Sequence, residues 1–229
     1  MKEKILLLVK VAAAFCAFKL VSFISSEVLA LCLMNGNVNR EVLLQIYQAG
    51  STVLIILVAF PVFLGVMRLF GINGQFSWKA KKKASPGKLL LYVLAALLPV
   101  LLLYGGMLIA GKCGVIPSEN LVSAMSFTDV IREGILGCIL MPIAEEIMFR
   151  GVILHSLKME GRQFALIAST LLFAVGHRNP VNIILGMVTG YFFAYLALKH
   201  KGIGYGVICH VVVNVLGNIV MPLLLSVLL

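Results

Sequence analysis

The stretch PIAEEIMFRG, residues 142–151, sets two adjacent carboxylates, Glu145 and Glu146, and a cation, Arg150, inside a long apolar run. A charge at the centre of a membrane helix costs about 2.5–3.5 kcal/mol, so three unpaired charges would cost on the order of 5–10 kcal/mol. Pairing must reduce this. Glu146 and Arg150 are four residues apart, with the acid N-terminal to the base, so on a helix they share a face in the favoured order. The spacing predicts an internal ion pair. Glu145 points about 100° away around the helix and is the carboxylate left over, the kind of group that serves as a general base or acid. Pro142 removes a helical hydrogen bond just upstream and predicts a kink there.

Composition supports a membrane setting for that stretch. The chain has 229 residues, 61% hydrophobic and 12% charged, with a mean hydropathy of +1.07. A soluble domain of this size is nearer a quarter charged and needs a polar coat. The expectation is an all-α polytopic membrane protein, with residues 1–229 forming a single membrane domain. Apolar segments are expected over residues 5–34, 42–70, 89–110, 129–157, 163–177, 181–198 and 203–229. That makes a single bundle of about seven helices, or eight if the last divides at Gly217 or Pro222. Ser126 or Thr128 is expected to cap the fourth. The first segment opens like a signal peptide, but Lys10 interrupts it and it runs past signal length, so a retained helix is expected. Lys10, Lys19 and Glu27 within it are read as snorkelling or facing the bundle. They carry no functional weight.

The net charge of +10 invites a nucleic-acid reading, but its distribution argues against one. Twelve of the 19 basic residues fall in four groups: Lys2 and Lys4; Arg68 with Lys79, Lys81, Lys82, Lys83 and Lys88; Lys158 and Arg162; Lys199 and Lys201. These groups lie at alternate ends of successive apolar segments, as the positive-inside rule requires. The expectation is a multi-pass protein of the cell membrane with a cytoplasmic N-terminus. Its run KAKKKASPGK, residues 79–88, would touch anionic headgroups of the bilayer. The five cysteines are scattered and form no CxxC pair. They are read as small apolar core residues. Composition leaves the oligomeric state open.

Two further polar pairs occur in apolar segments. FAVGH, residues 173–177, sets Phe173 and His177 on one helix face, and HVVVN, residues 210–214, does the same for His210 and Asn214, with Asn218 continuing that face. Taken alone, His177 reads as a capping or interfacial residue, and the His210 stripe reads equally well as interhelical glue. Depth counting adds to this. At about 1.5 Å per residue, Glu145, His177 and His210 lie roughly 20, 22 and 13 Å from the nearest basic loops. In a core about 30 Å thick, this permits three helices to bring their polar groups together near the midplane. Mutual satisfaction of buried polar groups favours it.

EEIMFR (145–150), FAVGH and HVVVN match the motifs EExxxR, FxxxH and HxxxN, in that order. With them, residues 125–218 resemble the catalytic core of the CPBP family of intramembrane proteases. That family includes the type II CAAX prenyl endopeptidases and Abi-like bacterial relatives linked to bacteriocin processing and immunity. Residues 1–110, the N-terminal helices, resemble the family only in being hydrophobic. The resemblance implies an intramembrane endopeptidase acting on a membrane-associated peptide or protein. In it Glu145 would activate water with His177 assisting, His210 and Asn214 would stabilise the oxyanion, and Glu146 and Arg150 would orient the site. No cofactor is expected. A zinc version of the same protease stays open, because a glutamate with His177 and His210 is the Glu-His-His set of a catalytic zinc site. Two other classes accommodate the same residues: a non-catalytic membrane scaffold or immunity protein, and a proton-coupled transporter.

Overall fold

The computed structural model describes residues 2–34, 39–73, 76–117, 125–177 and 179–229, and among them every regular element is helical. The helices are α1 (Lys2–Met34), α2 (Arg40–Leu69), α3 (Pro86–Lys112), α4 (residues 127–157), α5 (Arg162–Val175), α6 (Pro180–His200) and α7 (Gly204–Leu228). Five of these, α1, α2, α3, α6 and α7, are long and apolar enough to cross a membrane. α5 has only 14 residues, and α4 carries Glu145, Glu146 and Arg150 at its centre. The last apolar segment is one continuous helix. Gly217 lies in a widened turn over Leu216–Val220, and Pro222 falls in the first turn after it, where its missing N–H costs little.

Short polar signals set the helix starts. Asn39, Ser85 and Asn179 each accept a backbone N–H from the first turn of α2, α3 and α6. Ser126 and Asp129 form a reciprocal capping box at the start of α4, so the cap is Ser126 and not Thr128. Pro142 does not break α4. A widened turn over Glu133–Leu140 precedes it, with the Met141 N–H reaching back five residues to the Leu136 carbonyl. That widening places the proline in the first turn of a fresh α segment, Met141–Glu146. A second widened turn, Ile147–Ile153, follows the glutamates. Such insertions frequently mark functional sites.

α4 is the hub. It packs on α5, α6 and α7 and touches α2, while α1 lies along α2 and α3 lies against α6 and α7. One apolar core joins α1, α2, α4, α5 and α6 through Phe15, Phe63, Phe149, Phe173 and Ala194; another joins α3, α6 and α7 through Tyr92, Val100, Phe193 and Val213. The outer faces remain apolar, with Leu6, Leu20, Leu57, Leu90, Leu102 and Ile184 more than half exposed. For a bundle whose solvent is lipid this is the expected surface. Of the five cysteines only Cys138 and Cys209 are buried; Cys16, Cys32 and Cys113 are exposed on the outer surface, which corrects the reading of all five as core residues.

The four basic groups gather at one end of the bundle. Lys4 donates to the Glu160 carbonyl, Lys10 to the Phe70 carbonyl, and the Lys82 N–H to the His200 carbonyl. These bonds tie together the start of α1, the end of α2, the α4–α5 turn and the α6–α7 turn. Arg178 lies outside the described residues.

Candidate active site

Glu146 and Arg150 form the pair that their spacing predicts, at 2.9 Å, with both side chains fully buried. Arg150 also donates from Nη2 to the Gly190 carbonyl of α6 at 3.0 Å. Its guanidinium lies 4.2 Å from the centroid of Phe173, with Phe149 and Phe193 at 5.8 and 5.7 Å. The cation therefore sits in an aromatic cage that offsets part of its lost hydration. Gly190 is required for this approach: a Cβ there would lie 2.6 Å from Phe173 and 3.2 Å from Arg150 Nη2.

His210, from α7, reaches both glutamates. Its Nδ1 lies 3.0 Å from Glu146 Oε1, and its Nε2 lies 3.6 Å from Glu145 Oε2. Phe193 stacks on the ring at 5.0 Å, and Phe173 meets it edge-on. The expectation that Glu145 is unpartnered is thus corrected. It shares the imidazole with Glu146, because α7 packs on the side of α4 between the two carboxylates. The other Glu146 oxygen, Oε2, is buried without a hydrogen bond. It lies where a Cβ on Gly206 would stand, 2.8 Å away.

His177 occupies the end of α5, with its ring over Phe173 and Nδ1 3.2 Å from the Phe173 carbonyl. Among the described residues no ion pair joins it to Glu145. Asn214 donates to the Gly137 carbonyl of α4 at 3.1 Å, and Asn218 to Glu133 Oε1 at 3.0 Å. Both amides therefore bind α7 to α4, as the interhelical reading has it.

Two cavities meet at this cluster. One, of about 180 Å³, is lined by His177, His210, Asn214, Asn182 and Thr189. The other, of about 360 Å³, is lined by Glu145 together with Lys19, Ser22, Tyr47 and Ser51 of α1 and α2. Phe173 lines both. The structure thus brings Glu145, Glu146, Arg150 and His210 into direct contact, and sets His177 and Asn214 across the Phe173 ring in the neighbouring chamber. Among the described residues no three His, Cys, Asp or Glu side chains converge as ligands of a metal ion. His210 contacts both glutamates, and His177 sets its Nδ1 against the Phe173 carbonyl of its own helix.

Sequence reasoning gave no weight to Lys19, which lines the Glu145 cavity and donates to the Gly176 carbonyl beside His177. The available signal was a lysine in the middle of an apolar segment, where snorkelling to either end is difficult.

These features define a multi-pass helical membrane protein with a buried Glu–Arg–His cluster and chambers on either side of it. Residues 128–216 match the family model described as type II CAAX prenyl endopeptidase Rce1-like. The match contains all three motifs, so the resemblance to the CPBP/CAAX protease family is shown over the segment that carries the cluster. No curated protein and no solved structure matches the chain.

Proposed function

We propose that the protein is a glutamic-type intramembrane endopeptidase that cleaves a membrane-associated peptide or protein. The observation that carries this reading is Glu145, a carboxylate with side-chain exposure of 22%, which borders a 360 Å³ cavity and contacts an imidazole. Glu145 takes a proton from water, and the resulting hydroxide attacks the scissile carbonyl. The proton then passes to the departing amine, with His177 assisting across the Phe173 ring. Peptide hydrolysis also needs donors for the oxyanion. His210 is one. Asn214 is the other, since its amide carries two N–H groups and the Gly137 carbonyl takes one of them. Glu146 and Arg150 hold His210 and the α4–α6 spacing.

The test compares the peptides released by membranes carrying wild-type protein with those carrying Glu145→Gln. The variant conserves size and can still accept a hydrogen bond, so it is expected to insert and melt normally while losing cleavage. Equal peptide release by the folded variant would sink the reading and favour a non-catalytic scaffold. A substrate-driven pH change in proteoliposomes without peptide cleavage would favour a transporter.

A further inference from the structure

At the basic end of the bundle lies a cavity of about 580 Å³, separate from both chambers above. Lys81, Lys158, Lys201, His155 and Ser77 line it, and Arg150 reaches it from the interior. No acidic side chain is among its lining residues. Arg150 is neutralised by Glu146; among the described residues no carboxylate pairs with the three lysines, although Lys158 Nζ lies 3.1 Å from the His155 ring, and like charges around one cavity repel.

The cavity has a built wall. The loop from Phe76 to Ala84 is fastened to the α6–α7 turn by five hydrogen bonds. The Ile203 N–H donates to the Ser77 carbonyl at 3.0 Å, the Gly204 N–H to Trp78 at 3.1 Å and the Lys82 N–H to His200 at 3.2 Å. His200 Nδ1 donates back to the Lys82 carbonyl, and the Ala84 N–H donates to the Tyr205 hydroxyl. Glycines permit this close seating: a Cβ on Gly202 would stand 2.6 Å from the Lys79 carbonyl oxygen, and one on Gly204 would stand 2.8 Å from that of Trp78. Lys201 itself occupies the left-handed region at φ 55°, unusual for a lysine. Glycine is the residue usually found at such a helix end. Arg150 borders the cavity from the interior with its guanidinium held by Glu146 and Gly190. Three lysines, an imidazole and a hydroxyl thus line one space with no anion among them.

We propose that this cavity binds the phosphate group of an anionic phospholipid. Phosphate is the anion whose several acceptor oxygens match three converging ammonium donors. The volume is too large for inorganic phosphate alone, and Phe76, Leu154, Leu198 and Ile203 give it an apolar side that fits glycerol and the first acyl carbons. The basic end of the bundle is also where a bilayer presents its headgroups. The site therefore couples lipid composition to the packing of the loop, α4 and the α6–α7 turn. This inference does not depend on the chain being a protease.

The test is thermal unfolding of purified full-length protein in a neutral detergent, titrated separately with short-chain phosphatidylglycerol, phosphatidylcholine and inorganic phosphate. Phosphatidylglycerol is expected to raise the melting temperature saturably, and the other two are not. The combined Lys81→Ala, Lys158→Ala, Lys201→Ala protein should lose the rise. A Lys79→Ala, Lys83→Ala, Lys88→Ala protein, with the same charge loss outside the cavity, should keep it. Lys201→Gly guards against a folding defect, because glycine suits the left-handed position. It should melt no lower than wild type yet bind phosphatidylglycerol about fivefold more weakly. Equal loss in both triple variants would show diffuse surface attraction and overturn the site, and so would no rise in wild type. An equal rise with inorganic phosphate would overturn the lipid assignment.

Discussion

His210 Nδ1 lies 3.0 Å from Oε1 of Glu146, the same oxygen that lies 2.9 Å from Arg150, while the opposite ring nitrogen faces Glu145. A neutral imidazole donates from one nitrogen only. At 3.6 Å the Glu145 contact is longer than a hydrogen bond, so the ring is bonded to Glu146 through Nδ1 and leaves Nε2 facing Glu145. The imidazole is thereby held beside the carboxylate assigned to activate water.

The Glu146–Arg150 pair is expected to govern folding as well as activity. Removing one partner of a buried pair strands the other charge and costs about 3–5 kcal/mol. Arg150→Met and Glu146→Gln, each alone, should therefore lower the melting temperature strongly. The double variant should recover part of that loss while remaining inactive. Additive losses in the double variant would show that the two groups are not coupled.

Gly206→Ala tests the positioning of the cluster with one added methyl group. Its Cβ would stand 2.8 Å from Glu146 Oε2, and Arg150 and His210 hold the other oxygen, so the carboxylate cannot turn away freely. Glu146 should shift and drag His210 with it. A misplacement near 1 Å costs about 10²-fold in rate, so kcat should fall far more than stability does. Unchanged kcat with a lowered melting temperature would mean that the contact is structural only.

Much of this site was legible from residue spacing. The ion pair follows from an i, i+4 Glu–Arg order in an apolar run, and the three motifs mark the helices that converge. The ring-to-carboxylate contacts were not legible, because they depend on how α7 rolls against α4, and no periodicity within either helix encodes that roll. For the same reason Asn214 and Asn218 look identical in sequence, one turn apart on one face. The helical path through Pro142 was hidden too, since a widened turn absorbs the missing hydrogen bond without any distinctive residue. Lys19 shows a further limit: its role depends on α1 lying beside the end of α5, a contact between residues 157 positions apart.

Asn214 and Asn218 therefore make a controlled comparison. Each binds α4 by one amide bond, so each should lose a similar, modest stability on conversion to alanine, about 1 kcal/mol. Both amides border the chamber of His177 and His210, but Asn214 is half-buried one turn from His210, whereas Asn218 lies two turns away and is exposed; removal of one oxyanion donor costs about 10²–10³ in kcat. Asn214→Ala should show that loss with KM little changed, and Asn218→Ala should retain activity within a few-fold. Equal effects on kcat would assign both amides to helix packing.

Metal dependence gives the last test, and it turns on where His177 points. A catalytic zinc needs three protein ligands about 2 Å from one centre, yet Glu145, Glu146 and His210 cluster while His177 is bound to the carbonyl of its own α5. A water-activating glutamate needs no such convergence. Protein purified through a strong chelator, with metal content measured on the same sample, should therefore cleave at the untreated rate. Added zinc should give no activation, and excess zinc should inhibit by occupying Glu145 and His210. Loss of cleavage on chelation, restored in proportion to one bound zinc per chain, would overturn the glutamic mechanism and require His177 to swing toward Glu145 when metal binds.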